Sequence, residues 1–486
     1  MNSHVQHYKR PAERPFTKDQ RDSTTILFGG LTYNHDYLIE GALQGMGYNA
    51  KYLPVPDNHS LSVGKEYGNR GQCNPTYYTV GNLIKYLQNL NASGTEKIDD
   101  KYVFLTAGSC GPCRFGMYEA EYRKALRDAG FPDFRVLLFQ QSGDMNQGKE
   151  WGLELTPKFF ITLVKTIMAG DMLNELGYKI RPYEIVPGET DKCIERGRDI
   201  LYSALKERKP LRSILKKINQ IFSEIKVDYS RIKPKVKLTG EFWAMTTEGD
   251  GNYMLQRWLE SEGAEVVTEP VSNWVSFIFW EHAERAKERR KVKKGAYKTI
   301  LGLKAASLLF HYYYTSYRSA LKFRPDALSS QDKVAEYAKN YYNPRISGGE
   351  GHMEIGKHIM SFREKKAHLV VSVKPFGCMP STQSDGVQAK VVTDLGNSLF
   401  VSIETSGDSD VNVKSRVQMK LYEARERAKK EVADTLNKHN LTMKQVEEYS
   451  RKNPLSGMVR LPHYEASSAS NFIRMKAGEI RKVSQV

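Results

Sequence analysis

The sequence predicts an α/β protein made of two doubly wound, Rossmann-like lobes, with a mainly parallel sheet in each and a helical insert in the second. Short apolar runs alternate with helical patterns of about ten to fifteen residues, which is typical of parallel sheets covered on both faces. The alternation gives way to helical patterns over residues 156–224 and restarts near Gly240. The restart marks the second lobe, and basic, aromatic helical patterns over residues 275–340 indicate the insert.

The first lobe, with a helical extension, is predicted over residues 25–235, after a polar leader at 1–24. An apolar run at its start ends in a glycine turn, followed by a helical pattern and a second strand, which is a βαβ beginning. The predicted strands are 25–30, 48–55, 102–106 and 134–139, and helices are predicted at 37–46, 80–87 and 117–128. The helical extension is broken at 181–188, where two prolines and a glycine occur.

The second lobe is predicted over residues 236–440, with the basic helical insert at 275–340. Its predicted strands are 241–245, 264–268, 368–373 and 398–403, and its predicted helices include 253–262 and 413–440. Residues 441–486 are predicted to form a basic C-terminal tail, because little hydrophobic pattern is visible there. The two lobes show no clear sequence self-similarity.

Composition limits the classes of protein to consider. The chain has 486 residues and a formal charge of +17, with basic clusters near 285–294 and 429–482 that are either solvated helix faces or a docking surface. No nucleic-acid signature accompanies the charge, so no nucleic-acid partner is expected. No apolar run is long enough to span a bilayer, and residues 1–21 are polar and basic, so a cytoplasmic protein without a membrane span is expected.

The cysteines are the most informative residues. Five in a chain of this length are too few for a secreted disulfide framework, so reduced thiols are expected. Four lie in turns with glycine or proline, at the carboxyl ends of strands or the amino ends of helices: Cys73, Cys110, Cys113 and Cys378. Ligands of open α/β sheets gather at this edge. Cys193 lies inside a helical pattern and is predicted not to be a ligand.

These turns suit thiolates bound to iron. Free N–H groups at helix starts stabilise negative sulfur and lower the thiol pKa, and glycines let the backbone approach cluster sulfides. Two rivals stay open. Cys110 and Cys113 form a C-x-x-C pair with an internal proline, which also occurs in redox dithiols, and cysteines also bind structural zinc, usually through two short-spaced pairs. Spacing alone does not choose among metal ligation, redox chemistry and burial.

Several separate motifs, in order along the chain, carry a resemblance to a known family. They are 72–75 (QCNP) with 79–83 (TVGNL), 111–118 (GPCRFGMY), 181–184 (RPYE) with 187–190 (PGET), and 375–380 (PFGCMP). Together they resemble the 2-hydroxyacyl-CoA dehydratase superfamily, closest to the dehydratase-like region of acyl-CoA dehydratase activase-related proteins and to double-cubane cluster proteins. The similarity extends from about residue 25 to about residue 430.

The resemblance implies an iron-sulfur cluster held between the lobes by three cysteines, which match Cys73, Cys113 and Cys378. Cys110 is outside the shared pattern and is either a fourth ligand or a thiol beside the cluster. The cluster is either a 4Fe-4S centre with an open iron or half of a double cubane shared between chains. A separate ATP-hydrolysing activase is implied as the electron donor, and the absence of a phosphate-loop motif agrees with ATP being used by another chain. Dimer or hetero-oligomer formation is expected only by analogy.

Three functional hypotheses follow. The first is a low-potential iron-sulfur redox protein that accepts electrons from the activase and reduces a small substrate at the cluster. The second is a true 2-hydroxyacyl-CoA dehydratase subunit, in which one electron converts the thioester carbonyl to a ketyl radical and so permits loss of the 2-hydroxyl. The third is a non-enzymatic scaffold with zinc or without metal. Polar residues near predicted strand ends receive no catalytic role: Glu350, His352, Glu404 and Asp408.

Overall fold

Two four-stranded sheets, each entirely parallel and flanked by helices, form the frame of the molecule, so the predicted two-lobed α/β fold is confirmed. The structure is a computed structural model, and it describes residues 13–108, 113–140, 152–290, 295–346, 348–396, 398–407 and 410–483. In this part of the chain, no helix combines the length and the apolar character needed to cross a bilayer.

The first lobe is built on strands β1 (Thr25–Phe28), β2 (Ala50–Tyr52), β3 (Tyr102–Gly108) and β4 (Arg135–Gln140). Its helices are α1 (Tyr33–Gly45), α2 (Asn58–Tyr67), α3 (Asn74–Ala92), α4 (Ile98–Lys101) and α5 (Tyr118–Asp128). The strand order is β2-β1-β3-β4. Phe16, from the stretch predicted to be a polar leader, is buried among the apolar residues of this lobe.

A helical extension follows, with α6 (Pro157–Ile180), α7 (Glu189–Lys206) and α8 (Leu211–Glu224), and it ends in the short strand β5 (Lys226–Val227). The apolar faces of these helices belong to a core that lies outside both sheets. α1 of the first lobe and α12 (Ala296–Ala320) of the insert contribute to the same core, so it ties the two halves of the chain together.

The second lobe is built on strands β6 (Lys235–Gly240), β7 (Glu265–Thr268), β8 (Leu369–Pro375) and β9 (Leu399–Thr405). The helices are α9 (Phe242–Thr246), α10 (Leu255–Ser261), α11 (Val271–Arg289), α12, α13 (Gln331–Ala338), α14 (Gly351–Arg363), α15 (Met379–Leu395) and α16 (Asp410–His439). The strand order is β7-β6-β8-β9. Both lobes therefore have the order second-first-third-fourth, a repeat of topology that the sequence does not display.

One predicted strand of the second lobe is wrong. Residues 241–245 are not a strand, because β6 ends at Gly240 and Glu241 begins α9 as its N-cap residue. Gly240 has φ of +125°, and a Cβ at this position would overlap the carbonyl oxygen of Val373 in β8. Only glycine fits this exit from the strand. The correction moves Glu241 to the carboxyl edge of the sheet, where ligands of such folds bind.

The prediction of a C-terminal tail with little hydrophobic pattern is also wrong. Residues 443–483 include α17 (Met443–Lys452), the strand β10 (Leu455–Ser456) and α18 (Ser468–Val483). Three apolar side chains on one face of α18 are fully buried in the core outside the sheets: Phe472, Ile473 and Ile480. β10 pairs with β5 in an antiparallel manner, so this part of the chain closes the helical core.

A buried ion triad links three elements of the second lobe. Glu269, just after β7, lies 2.5 Å from Nζ of Lys237 in β6 and 3.3 Å from Nζ of Lys357 in α14. Burial by itself would raise the pKa of Glu269, but the two lysines outweigh it and lower the pKa to about 2. The carboxylate is therefore charged in the folded protein at any pH above that value.

We expect Glu269→Gln to lower the free energy of unfolding at pH 7 by about 3–5 kcal/mol, because two buried ammonium groups lose their counter-charge. Since the pKa of Glu269 is lowered from 4.5 to about 2 by folding, its stabilisation is present above pH 4.5 and is lost as the pH falls towards 2. Urea unfolding at several pH values should show the gap between wild type and variant narrowing below pH 4.5. Glu284→Gln, at a surface pair with Lys287, is the control. Equal losses in both variants would contradict the prediction.

Candidate metal centre

The carboxyl edges of the two sheets meet at the interface between the lobes. The backbone N–H of Asn74, at the start of α3, donates to the carbonyl oxygen of Phe376, just after β8, at 3.2 Å. Nearby, the side chains of Leu61, Tyr78 and Trp243 form a buried apolar cluster with members from both lobes. Because ligands of doubly wound sheets bind outside the carboxyl ends of the strands, this interface is where a shared site is expected.

The cysteine turns at this interface share one local design. Cys73 is the N-cap residue of α3, and Cys378 is the N-cap residue of α15. Each is followed two residues later by a proline in the first helical turn, Pro75 or Pro380, where the missing N–H costs nothing. Cys113 stands directly before a 3-10 helix, Arg114–Met117. All three thiols therefore lie at helix starts, as the sequence predicted.

Cys73 and Cys378 come from different lobes, yet their turns touch. Gly377 has φ of +76°, and a Cβ built on it would lie 3.6 Å from Cα of Cys73. The hydrogen bond from Asn74 to Phe376 joins the residue after Cys73 to the residue before Gly377. Both thiols are buried, with 6% exposure for Cys73 and 7% for Cys378. The turn of the second lobe is thus packed onto that of the first.

Cys113 lies within electrostatic reach of the same site. Its thiol interacts with Cys73, Glu241 and Glu350. In addition, the guanidinium of Arg114 donates to the carbonyl of Gly71, in the turn that precedes Cys73. The structure therefore brings together Cys73, Cys113 and Cys378, whereas Cys193 packs against the helical core and Cys110 lies outside the described residues.

Hydroxyl groups surround the sulfur of Cys73. The Tyr118 hydroxyl lies 3.1 Å from the sulfur, and Oγ1 of Thr76 lies 3.3 Å from it. Burial and the neighbouring Cys73 raise the pKa of Tyr118, so its hydroxyl keeps the proton that it can donate to a thiolate. Tyr118 is the last residue of the 111–118 motif, but sequence reasoning gave it no role because its contact with Cys73 depends on the fold.

Three carboxyl groups complete the surroundings. Glu241 accepts a hydrogen bond from the Ala244 amide at 2.8 Å, and Glu354 accepts from the hydroxyls of Ser381 at 2.7 Å and Ser384 at 2.5 Å. Burial raises the pKa of Glu241 to about 7. The pKa of Glu350 lies well above its usual value because the group is buried and because Glu241 and Glu354 are close.

The other polar candidates lie in different surroundings. His352 is buried against the rings of Phe277 and Trp280, whose centroids lie 5.5 and 5.4 Å from its own. Glu404 is an exposed residue of β9, and Asp408 lies outside the described residues. Of the three described candidates, Glu350, His352 and Glu404, Glu350 is therefore the one found among the groups that act on the cysteines.

The pKa values of the three thiols are raised, contrary to the expectation that helix starts lower them. Burial raises the pKa of Cys113 to about 12, with Glu350 adding to the effect. Burial also raises the pKa of Cys73 and of Cys378, and Glu241 adds to both. Hydrogen bonds at the helix starts do lower these pKa values, but by less than burial raises them. A bound cation must therefore displace the thiol protons.

The chemical types of the donors, though not a preformed arrangement of them, suit an iron-sulfur cluster. The sulfurs come from three separate turns, those of Cys73 and Cys378 are buried, hydroxyl and N–H donors lie beside them, and soft thiolates are the ligands that such clusters take. Within the described ranges, no group of three His, Cys, Asp or Glu side chains has the arrangement to hold a metal ion.

No protein-family model matches the chain, and no curated protein matches it. The function is therefore approached from the chemistry of the cysteine site.

We expect Cys113 in the metal-free, folded protein to react slowly with iodoacetamide. Its pKa of about 12, against 9.0 for an ordinary cysteine, leaves a thiolate fraction about a thousandfold smaller at pH 8. Mass spectrometry of the alkylated peptide would give the rate, and the same protein in urea is the control. A rate in the folded protein equal to that in urea would contradict the prediction.

Proposed function

We propose that the chain is an iron-sulfur redox protein of the 2-hydroxyacyl-CoA dehydratase type. In this proposal it accepts low-potential electrons from a separate ATP-hydrolysing activase and reduces a small substrate at the cluster. The observation that carries it is the contact between the Cys378 turn of one lobe and the Cys73 turn of the other. A site assembled from distant thiols at two facing sheet edges is what the resemblance to this superfamily implies.

Each residue of the site would have its own role. Cys73, Cys113 and Cys378 would hold the cluster, and Cys110 is the candidate for a fourth thiolate. Tyr118 and the backbone N–H groups at the starts of α3 and α15 would donate hydrogen bonds to the sulfurs, which tunes the reduction potential. When bound, such a cluster supplies one-electron transfer and, at an iron without a protein ligand, a Lewis-acid site.

The buried carboxyls would govern charge and protons beside the sulfurs. Burial and the adjacent acids raise the pKa of Glu350 well above its usual value, which favours the protonated carboxyl. Glu241, with a pKa of about 7, changes its charge in the neutral range. An electron added to a buried site would raise the pKa of a nearby carboxyl, so Glu241 could take up a proton and balance the added charge.

The first experiment is metal analysis after anaerobic purification. We expect a brown protein with iron and acid-labile sulfide in near-equal amounts. Cys73→Ser, Cys113→Ser and Cys378→Ser should each remove at least about half of the iron, because a hydroxyl replaces a soft thiolate ligand. Cys193→Ser, in the helical core, is the matched control and should retain it. Colourless protein with zinc, or equal losses in all four variants, would contradict the proposal.

The second experiment separates the proposed role from that of a true dehydratase subunit. Reduced protein, activase and ATP are incubated with a panel of 2-hydroxyacyl-CoA thioesters, and the products are followed by mass spectrometry. We expect reduction of the cluster, seen by electron paramagnetic resonance, without loss of water from any thioester. Dehydration of any member would replace the proposed role with that of a dehydratase.

A further inference from the structure

A cavity of about 280 Å³ lies at the opposite edge of the second sheet from the cysteines. It is lined by the segment that leads into β6, by the turn that leads into β7, and by α16. The cysteine site follows the carboxyl ends of the strands, so the six residues of β6, or roughly 20 Å, separate the two sites. This cavity is therefore independent of the proposed cluster.

The charged residues that line the cavity are four cations and one acid: Arg231, Lys233, Arg425, Lys429 and Glu262. Three of the cations have a carboxylate within 4.0 Å: Arg425 lies 3.5 Å from Glu262, Arg231 lies 3.5 Å from Asp228, and Lys429 lies 2.8 Å from Glu426. The excess of positive charge in a concave site concentrates the electrostatic potential there. Small anions are the ligands that such a potential attracts.

Lys233 is the group whose charge is least compensated. It is partly buried and forms no ion pair with any described residue within 4.0 Å. Two carboxylates, Glu260 and Glu265, act to raise the pKa of Lys233, but each forms an ion pair with another cation. Glu260 lies 3.0 Å from Arg181, and Glu265 lies 3.1 Å from Lys235. Burial, and then the like charge of Arg231, lower the pKa of Lys233. An anion in the cavity would relieve both effects.

We propose that this cavity binds the phosphoryl group of a small molecule. Arg231 donates through Nη1 to the carbonyl of Glu184, and Arg425 donates through Nη2 to the carbonyl of Glu262. The other terminal nitrogen of each guanidinium can donate to phosphate oxygens, and Lys233 adds a point charge to the same cavity. Since a water molecule takes about 30 Å³, a cavity of this size admits a phosphate or diphosphate with part of its hydration. An extended acidic peptide would need a longer groove than this cavity offers.

The test is calorimetric titration of the full chain at constant ionic strength with inorganic phosphate, pyrophosphate and ADP. We expect saturable binding of at least one of the three. Lys233→Met and Arg425→Gln should each weaken it at least tenfold, while Lys233→Arg should retain it. Lys304→Met removes the same charge from an exposed position on α12 and is the matched control. Tightest binding of phosphate would identify the free ion as the ligand, and tightest binding of ADP would identify a phosphate ester.

Thermal unfolding gives a second readout. Pyrophosphate should raise the unfolding temperature of the wild type and of Lys304→Met but not that of Lys233→Met, whose own unfolding temperature without ligand shows whether it folds. The inference is overturned if none of the three anions binds, if the control weakens binding as much as Lys233→Met does, or if polyglutamate binds equally well with the same dependence on Lys233.

Discussion

The contact between two cysteine-bearing turns, one from each lobe, is the constraint on which the functional site depends. The hydrogen bond from Asn74 to Phe376 and the close approach of Gly377 to Cys73 hold the starts of α3 and α15 together. A side chain at position 377 would face both a left-handed backbone conformation and the Cys73 backbone. Neither lobe alone could bury both thiols, so the site exists only where the lobes are docked.

The repeated strand order explains how the lobes reach this arrangement. In each sheet the first and third strands are neighbours, which places a crevice outside their carboxyl ends where the connections diverge. In the second lobe these are β6 and β8, and they deliver Glu241 and Cys378 to one crevice. In the first lobe, β3 leads towards Cys113. The two crevices face each other, and this arrangement brings the thiols and carboxyls of both lobes close together.

Sequence patterns predicted the alternation of strands and helices, and they placed the cysteines at helix starts, because both features are local. They failed where a distant contact decides the structure. Residues 241–245 were predicted as a strand, since the positive φ of Gly240 that ends the strand before them is fixed by Val373 in the neighbouring strand. The face of α18 formed by Phe472 and Ile480 was hidden among basic residues. Glu241 and Tyr118 joined the site only through the fold.

The charges of the cysteine site also explain how it can form before any metal arrives. Three thiols and three carboxyls would repel one another if they were ionised in so dry a place, yet burial raises the pKa values of the thiols and of Glu241, Glu350 and Glu354. Protons thus neutralise most of the site, and the lobes can dock. A cationic centre held by Cys73, Cys113 and Cys378 would have to displace their thiol protons, so its affinity would rise with pH. The burial that raises these pKa values would therefore couple metal binding to proton release.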